Sequence, residues 1–498
     1  MHASSIQSQK NTQLQPVPTH LTQTMSGGGN GSGSAGGAAH VVMFPWLAFG
    51  HISPFAQLTR RLISGDETLR VTFLTAAGNV PRVEAMLAEA AGAVAVLPLD
   101  LPSVKGLPPA AASTAELSAD GAELLKVALD GTRPQVATLL AELRPDAVLF
   151  DFAVPWVCDV AAPLGVRALY FNVYSAATLA LLTVPARCPG GQRPSAHELT
   201  AAPAGFPSDS PLVTLPAYQA ANLTYAFQSF YGMPSAYDRF IECFKGCFGT
   251  VMKTCAEMEG PYIDYISAQI GKPVLLAGPV VPEPPEGELE ERWSSWLSSF
   301  PENAVVFASF GSETFLPAAA ATELLLGLEA TNRPFLVVLN FPKGADAEEE
   351  LRARVPPGFE DRVKGRGVLH TGWVQQQHIL LHPSVGCYVN HSGFSSVAEG
   401  LAAGCRLVLL PMKTDQYINA AVFARELHVG VEVARRSEDG WFGCDAVSDA
   451  VAAAMAAGGD GEGRKWREFL LDDAVQKGFA AEFLRNLKGL VSGPNYKT

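Results

Sequence analysis

Residues 373 to 416 hold side chains whose types and spacing suit chemistry on a nucleotide-linked sugar. The segment starts at Trp373-Val374, passes Gln376, turns at His391-Ser392-Gly393, runs through Phe394-Ser395-Ser396 to Glu399, and closes on Asp415-Gln416. A nucleotide-sugar needs a stacking surface for its base, a cradle for its diphosphate, and partners for its ring hydroxyls. Trp373 offers the first. The polar turn before a helix start offers the second, because the first N–H groups of a helix are unpaired and sit at the positive end of its dipole. Glu399, Asp415 and Gln416 offer the third. A competing reading takes Ser396-Val-Ala-Glu399 as a capping box. Glu399 cannot fold back on the turn and also bind ribose hydroxyls.

The elements that must position these residues follow from hydrophobic patterning. Gly386–Asn390 reads as a short apolar strand, and the residues from Phe394 read as a helix that Gly404 stops. Similar apolar runs recur along the chain. One series comprises 40–46, 70–76, 94–99, 147–151 and 167–172. A second comprises 304–310, 335–340, 368–373, 386–390, 406–411 and 429–433. Several are apolar throughout, as strands covered on both faces should be. Strands alternating with helices predict parallel sheets. The chain should therefore hold two α/β domains, at 40–277 and 293–480, around a central cleft. The Pro-rich acidic stretch at 278–292 joins them. Residues 481–498 should return to the first domain. Residues 1–39, polar and then Gly/Ser-rich, read as a disordered tail. Gly31, Gly33 and Gly36 fit a dinucleotide fingerprint, but they precede the first strand instead of following it.

Composition narrows the function classes. The chain has 498 residues, 48% hydrophobic and 17% charged, with net charge −13 and no basic cluster. That argues against nucleic acid and anionic membranes as partners. Eight scattered cysteines without a C-x-x-C pair suggest a reducing compartment. Three glycosylation triplets, at Asn30, Asn222 and Asn390, have no leader before them and read as chance. No apolar run is long enough for a membrane span. A soluble, cytoplasmic monomer is the expectation.

The 44 residues from Trp373 to Gln416 resemble the signature box of plant family 1 UDP-glycosyltransferases. Trp373, Gln376, His382-Pro383, Gly386, His391, Gly393, Ser396, Glu399, Pro411 and Asp415-Gln416 fall in register with it. The resemblance extends from about His40 to the C-terminus and includes Phe44-Pro-Trp-Leu-Ala-Phe-Gly-His51 and Ala308-Ser-Phe-Gly-Ser312. It implies a GT-B fold and an inverting transfer from a UDP-sugar, most simply UDP-glucose, to a small-molecule acceptor. Trp373 would stack on uracil, and Gln376 would contact the nucleoside. Glu399 would bind ribose; Ser312, His391 and Ser396 would hold the diphosphate; Val374, Ser392, Gly393, Phe394 and Ser395 would line the same donor site. Asp415 and Gln416 would hold the sugar. The resemblance places the base on His51 and its orienting acid on Asp151. Histidine suits proton abstraction because its ordinary pKa is near ~6.5, and an acid on one ring nitrogen fixes the tautomer.

Two positions depart from the pattern. Phe394-Ser395 stands where the family usually has Trp-Asn, which resembles the branch that adds a sugar to the sugar of a flavonoid or anthocyanin glycoside. No Asp-x-Asp motif or zinc-type spacing appears, so no metal and no cofactor beyond the UDP-sugar co-substrate is expected. Pro185, Phe206, Pro207, Tyr218, Tyr225, Phe227, Phe230 and Tyr231, in a long irregular stretch, suit either a flat phenolic acceptor or loop packing. A decayed UDP-sugar-binding protein, a transferase using UDP-xylose or UDP-rhamnose, and an NAD-dependent oxidoreductase are the competing readings.

Overall fold

The computed structural model describes residues 39–279, 281, 283–342, 344–456 and 461–492. The expected tail lies outside the described residues but for Ala39, as do the Gly31–Gly36 pattern and Asn30.

Apolar runs covered on both faces build two parallel sheets. The first holds β1 (His40–Phe44), β2 (Arg70–Ala76), β3 (Val94–Leu99), β4 (Ala147–Phe150), β5 (Arg167–Asn172), β6 (Gly249–Met252) and β7 (Val274–Leu276), in the order β3-β2-β1-β4-β5-β6-β7. The second holds β8 (Val305–Ser309), β9 (Phe335–Val338), β10 (Gly367–His370), β11 (Val385–Asn390), β12 (Arg406–Leu409) and β13 (Gly430–Glu432), in the order β10-β9-β8-β11-β12-β13. Every pairing is parallel. Strands β6 and β7, 4 and 3 residues long, are not among the apolar runs read from the sequence.

Each sheet has one point where the winding direction reverses, between β1 and β4 in the first and between β8 and β11 in the second. Strand ends diverge there and leave a crevice for a ligand. His51 follows β1 and Asp151 follows β4. Ser312 follows β8, and the His391 turn follows β11. All four groups thus stand at reversal points. Gly386 permits the second: a Cβ there would lie 2.4 Å from the carbonyl oxygen of Asn303, at a register shift between β11 and β8.

Several strands end earlier than their apolar runs. β10 stops at His370, and Gly372, at φ +91°, turns the chain so that Trp373 stands on a loop and not on a strand. The stretch around 180–240 is irregular in large part but not throughout. It holds helices Ala176–Leu182, Ala217–Leu223 and Ala236–Gly246, with single-turn helices and an Ala201–Thr214 bridge between them. The joining segment gives way to a helix at Glu291. The final helix, Asp473–Ser492, lies against helix Phe49–Gly65 and sends Phe483, Leu484 and Leu487 into the core beneath the first sheet. It begins ahead of residue 481, where the sequence suggested the return.

Candidate active site

His51 sits in the first turn of helix Phe49–Gly65, directly beyond β1. Its Nδ1 lies 2.7 Å from Oδ2 of Asp151. The carboxylate is fully buried and is held from two further directions. The backbone N–H of Trp46 donates to Oδ2 at 3.1 Å, and that of Phe152 donates to Oδ1 at 2.7 Å. An acceptor so fixed holds Nδ1 as the protonated nitrogen and leaves Nε2 as the basic one. The rings of Phe152 and Tyr174 pack on the imidazole at centroid separations of 5.7 and 5.2 Å.

The opposite domain presents the turn after β11. Ser392 adopts φ +65° and donates its N–H to Oδ1 of the buried Asn390 at 2.8 Å. Helix Phe394–Ala403 then starts at Gly393 with no side chain capping it, and Gly404 ends it at φ +81°. The capping-box reading fails: Ser396 lies inside the helix, and Glu399 accepts from Nε2 of Gln376 at 2.5 Å. Oε1 of Gln376 accepts in turn from Ser309 at the end of β8, at 3.0 Å. Burial raises the Glu399 carboxyl and this amide partly offsets the rise.

The imidazole of His391 lies between two glycines. A Cβ on Gly393 would come 2.6 Å from its Nε2, and one on Gly311, at φ +72°, 3.1 Å from its Cε1. Burial, then the nearby Lys413 charge, drive its pKa down to about 4, so the ring is neutral at pH 7. Among the described residues, neither its Nδ1 nor the Ser392 hydroxyl has a hydrogen-bond partner, though both atoms are buried. Unpaired buried polar atoms are costly, and an anion's oxygens would complete this set. Trp373, 72% exposed, offers an open ring face. Val374 is buried beside it, and Ser312 and Ser395 are exposed.

Asp415 opens helix Asp415–Ala421, and its Oδ2 accepts from Asn419 at 3.2 Å. Burial raises its pKa. Gln416 serves its own loop: Oε1 accepts from the N–H groups of Met412 and Lys413 at 2.9 and 3.1 Å, and Nε2 donates to Thr314 at 3.1 Å. Asn419 joins the two domains. It accepts from Ser175 at 2.7 Å and donates to the Ser392 carbonyl at 3.1 Å. Lys413, Asn419, Phe152 and Tyr174 were not legible as site residues. Lys413 lies within the Trp373–Gln416 segment but at no position that marks the resemblance, and strand ends alone could have pointed to the last two.

The aromatic residues proposed for the acceptor divide. Phe206 packs on Tyr262 and Tyr265, and Phe227 on Tyr237, so both serve packing. Tyr218 packs against Tyr417 of the other domain. Tyr225 stacks near Phe230 and its hydroxyl donates to Glu123, while Tyr231, more than half exposed, donates to Asp120. The rings against His51 come from Phe152 and Tyr174 instead.

Comparison with known proteins bears on this arrangement. The family model described as UDP-glucoronosyl and UDP-glucosyl transferase matches residues 285–439. The chain is 47% identical over 461 residues to an anthocyanidin-3-O-glucoside rhamnosyltransferase of Petunia hybrida, covering 91% of this chain and 97% of that one. It is 37% identical over 463 residues to an anthocyanidin 3-O-glucoside 2'''-O-xylosyltransferase of Arabidopsis thaliana, covering 91% and 97%. The crystal structure of Arabidopsis thaliana UGT89C1 complexed with UDP-L-rhamnose shares the fold, with TM-score 0.68 at 22% identity over 91% of this chain and 98% of that one.

Proposed function

The chain belongs to the UDP-glycosyltransferase family, a GT-B enzyme family, and on that premise we propose that it moves one sugar from a UDP-sugar to a sugar hydroxyl of a flavonoid or anthocyanidin glycoside. One observation carries the reading. A carboxylate-held histidine at one sheet's reversal point is paired with an uncapped helix start and a neutral histidine at the other's.

Nε2 of His51 takes the proton from the acceptor hydroxyl, whose oxygen bonds to the anomeric carbon. The bond from that carbon to the diphosphate oxygen breaks, and its electron pair leaves with UDP. A single displacement inverts the centre. Asp151 stabilises the imidazolium without taking the proton. The N–H groups opening helix Phe394–Ala403, with His391, Ser392 and Ser396, receive the charge that grows on the diphosphate. Trp373 supports the uracil, Gln376 and Glu399 the ribose, and Asp415 the transferred sugar. Relatives named for anthocyanidin glucosides support the acceptor class. Eight free cysteines support a reducing, cytoplasmic setting.

Asp415-Gln416 supports glucose as the sugar. A second reading, a deoxyhexose or a pentose, draws on the Gln416 amide being engaged with Met412, Lys413 and Thr314, which leaves fewer partners for ring hydroxyls. It is also what the relatives' names report. Purified protein incubated with UDP-glucose, UDP-rhamnose and UDP-xylose against aglycones and their 3-O-glucosides, read by mass spectrometry, decides. Transfer to the glucosides from one donor is expected. Transfer confined to aglycones overturns the acceptor half, and hydrolysis or transfer with none of the donors overturns the whole.

A further inference from the structure

Lys253 directly follows β6 in the first domain, yet its side chain ends against the second. Its Nζ stands 3.5 Å from Oγ of Ser395 and 5.1 Å from the centre of the Phe394 ring. The residue is 3% exposed. A buried ammonium normally has a carboxylate at hydrogen-bond distance. Here the Ser395 contact is at the outer limit of a hydrogen bond, and among the described residues no carboxylate makes an ion pair with it. Three carboxylates act on it from beyond ion-pair distance. Asp151 is taken by His51, Trp46 and Phe152, Glu259 accepts from the Ala177 N–H at 2.9 Å through Oε1 while its Oε2 is unpaired, and Asp415 accepts from Thr414 and Asn419. Burial lowers the Lys253 pKa to about 8 despite these three carboxylates.

The location adds to the anomaly. Lys253 meets the first turn of helix Phe394–Ala403, the positive end of the dipole, where cations are disfavoured. A buried cation stands at an uncapped helix start, and the turn just before that start carries the unpaired His391 Nδ1 and Ser392 hydroxyl. An anion bound there would satisfy all of them together.

We infer that Lys253 is a donor-site residue supplied by the acceptor-side domain, its ammonium hydrogen-bonding an oxygen of the UDP diphosphate at the helix start. The inference rests on the reading that this helix start holds the diphosphate. Ser395, where the family usually has Asn, provides a short side chain that leaves room for the lysine tip. Because Lys253 reaches across the cleft, it binds the diphosphate only when the domains are closed on each other, and it opposes the negative charge gained by departing UDP.

Calorimetric titration of the full chain with UDP and with uridine tests this, using Lys253→Met, Lys253→Gln and Lys253→Arg. The Met and Gln variants should lose about 10- to 100-fold in UDP affinity, the range for a charge-assisted hydrogen bond. Their uridine affinity should change less than about twofold, and the Arg variant should keep most of its UDP affinity. Ligand-free melting should stay level or rise, since removing a buried unpaired charge relieves its cost. Unchanged UDP affinity in folded Met and Gln variants overturns the inference, as does an equal loss for UDP and uridine. Unfolding of all three variants overturns it in favour of a structural strut. If the unaltered protein binds uridine as tightly as UDP, the diphosphate reading itself falls; if it distinguishes them and only the variants do not respond, Lys253 alone is misassigned.

Discussion

His51 and Asp151 lie 100 positions apart in sequence and 2.7 Å apart in space, because β1 and β4 are neighbours at the sheet's reversal point. The backbone donors of Trp46 and Phe152 fix the carboxylate before any ligand arrives. Replacing His51 by Ala should lower kcat by roughly 10²–10⁴-fold while UDP binding persists, the scale of a lost general base. Asp151→Asn should keep the fold and lower kcat comparably, since an amide can present its N–H to Nδ1 and hold the wrong tautomer. Near-normal turnover of either variant with a flavonoid glucoside would sink the assignment.

His391 should titrate with a midpoint near about 4, measured by NMR of its labelled ring. The sign of the linkage follows. The unfolded chain takes up a proton near ~6.5 that the folded chain refuses until about 4, so stability falls as pH drops through that window and levels off below it. Urea midpoints against pH for the parent and His391→Gln should diverge between these limits. Parallel curves would show the ring is ordinary.

Gly393→Ala tests the close approach to His391. The backbone there, at φ −64°, suits alanine, but the new Cβ would stand 2.6 Å from Nε2. The ring must move, and UDP affinity should fall about tenfold or more, the worth of one or two displaced hydrogen bonds, with a small change in melting temperature. Gly311→Ala should cost more stability, because its φ of +72° adds backbone strain of ~1 kcal/mol or more.

Gln416→Ala removes the acceptor of two loop N–H groups and the donor to Thr314. Leaving those groups unpaired should cost about 1–3 kcal/mol. The drop in kcat/KM should be alike for UDP-glucose, UDP-rhamnose and UDP-xylose. A loss confined to one donor would show instead that the amide touches the sugar.

Phe483→Ala should destabilise the ligand-free protein by ~3–5 kcal/mol, since the ring is 1% exposed in the core beneath the first sheet. Equilibrium denaturation that reports an unchanged first domain would contradict that packing.

The sheets were legible because long apolar runs bear on both faces of a strand, and the register of Trp373 to Gln416 points to the donor half. What stayed hidden has physical causes. The residues of β6, with Gly249 and Thr250 ahead of Val251, do not make an apolar run, so β6 and with it the placement of Lys253 were invisible. Glu399 obeys the spacing of a capping box, yet only the fold shows that Gln376 claims it. Aromatic density drew attention to Phe206 and Phe227, but composition cannot tell a packed ring from a lining one. Phe152 and Tyr174 follow the ends of β4 and β5, and the pairing of those strands brings their rings together.

The return of helix Asp473–Ser492 has a kinetic meaning. Leu484 lies against Gly65, and a Cβ on that glycine would come within 2.6 Å of it. The core under the first sheet is therefore assembled from its own strands and from a helix that follows the whole second sheet in sequence. On the ribosome the first domain must wait, with Ile52, Phe55 and Leu62 of its opening helix short of their final neighbours, until the second domain has been synthesised. Its completion is a long-range event, the kind of contact whose loop-closure cost slows folding.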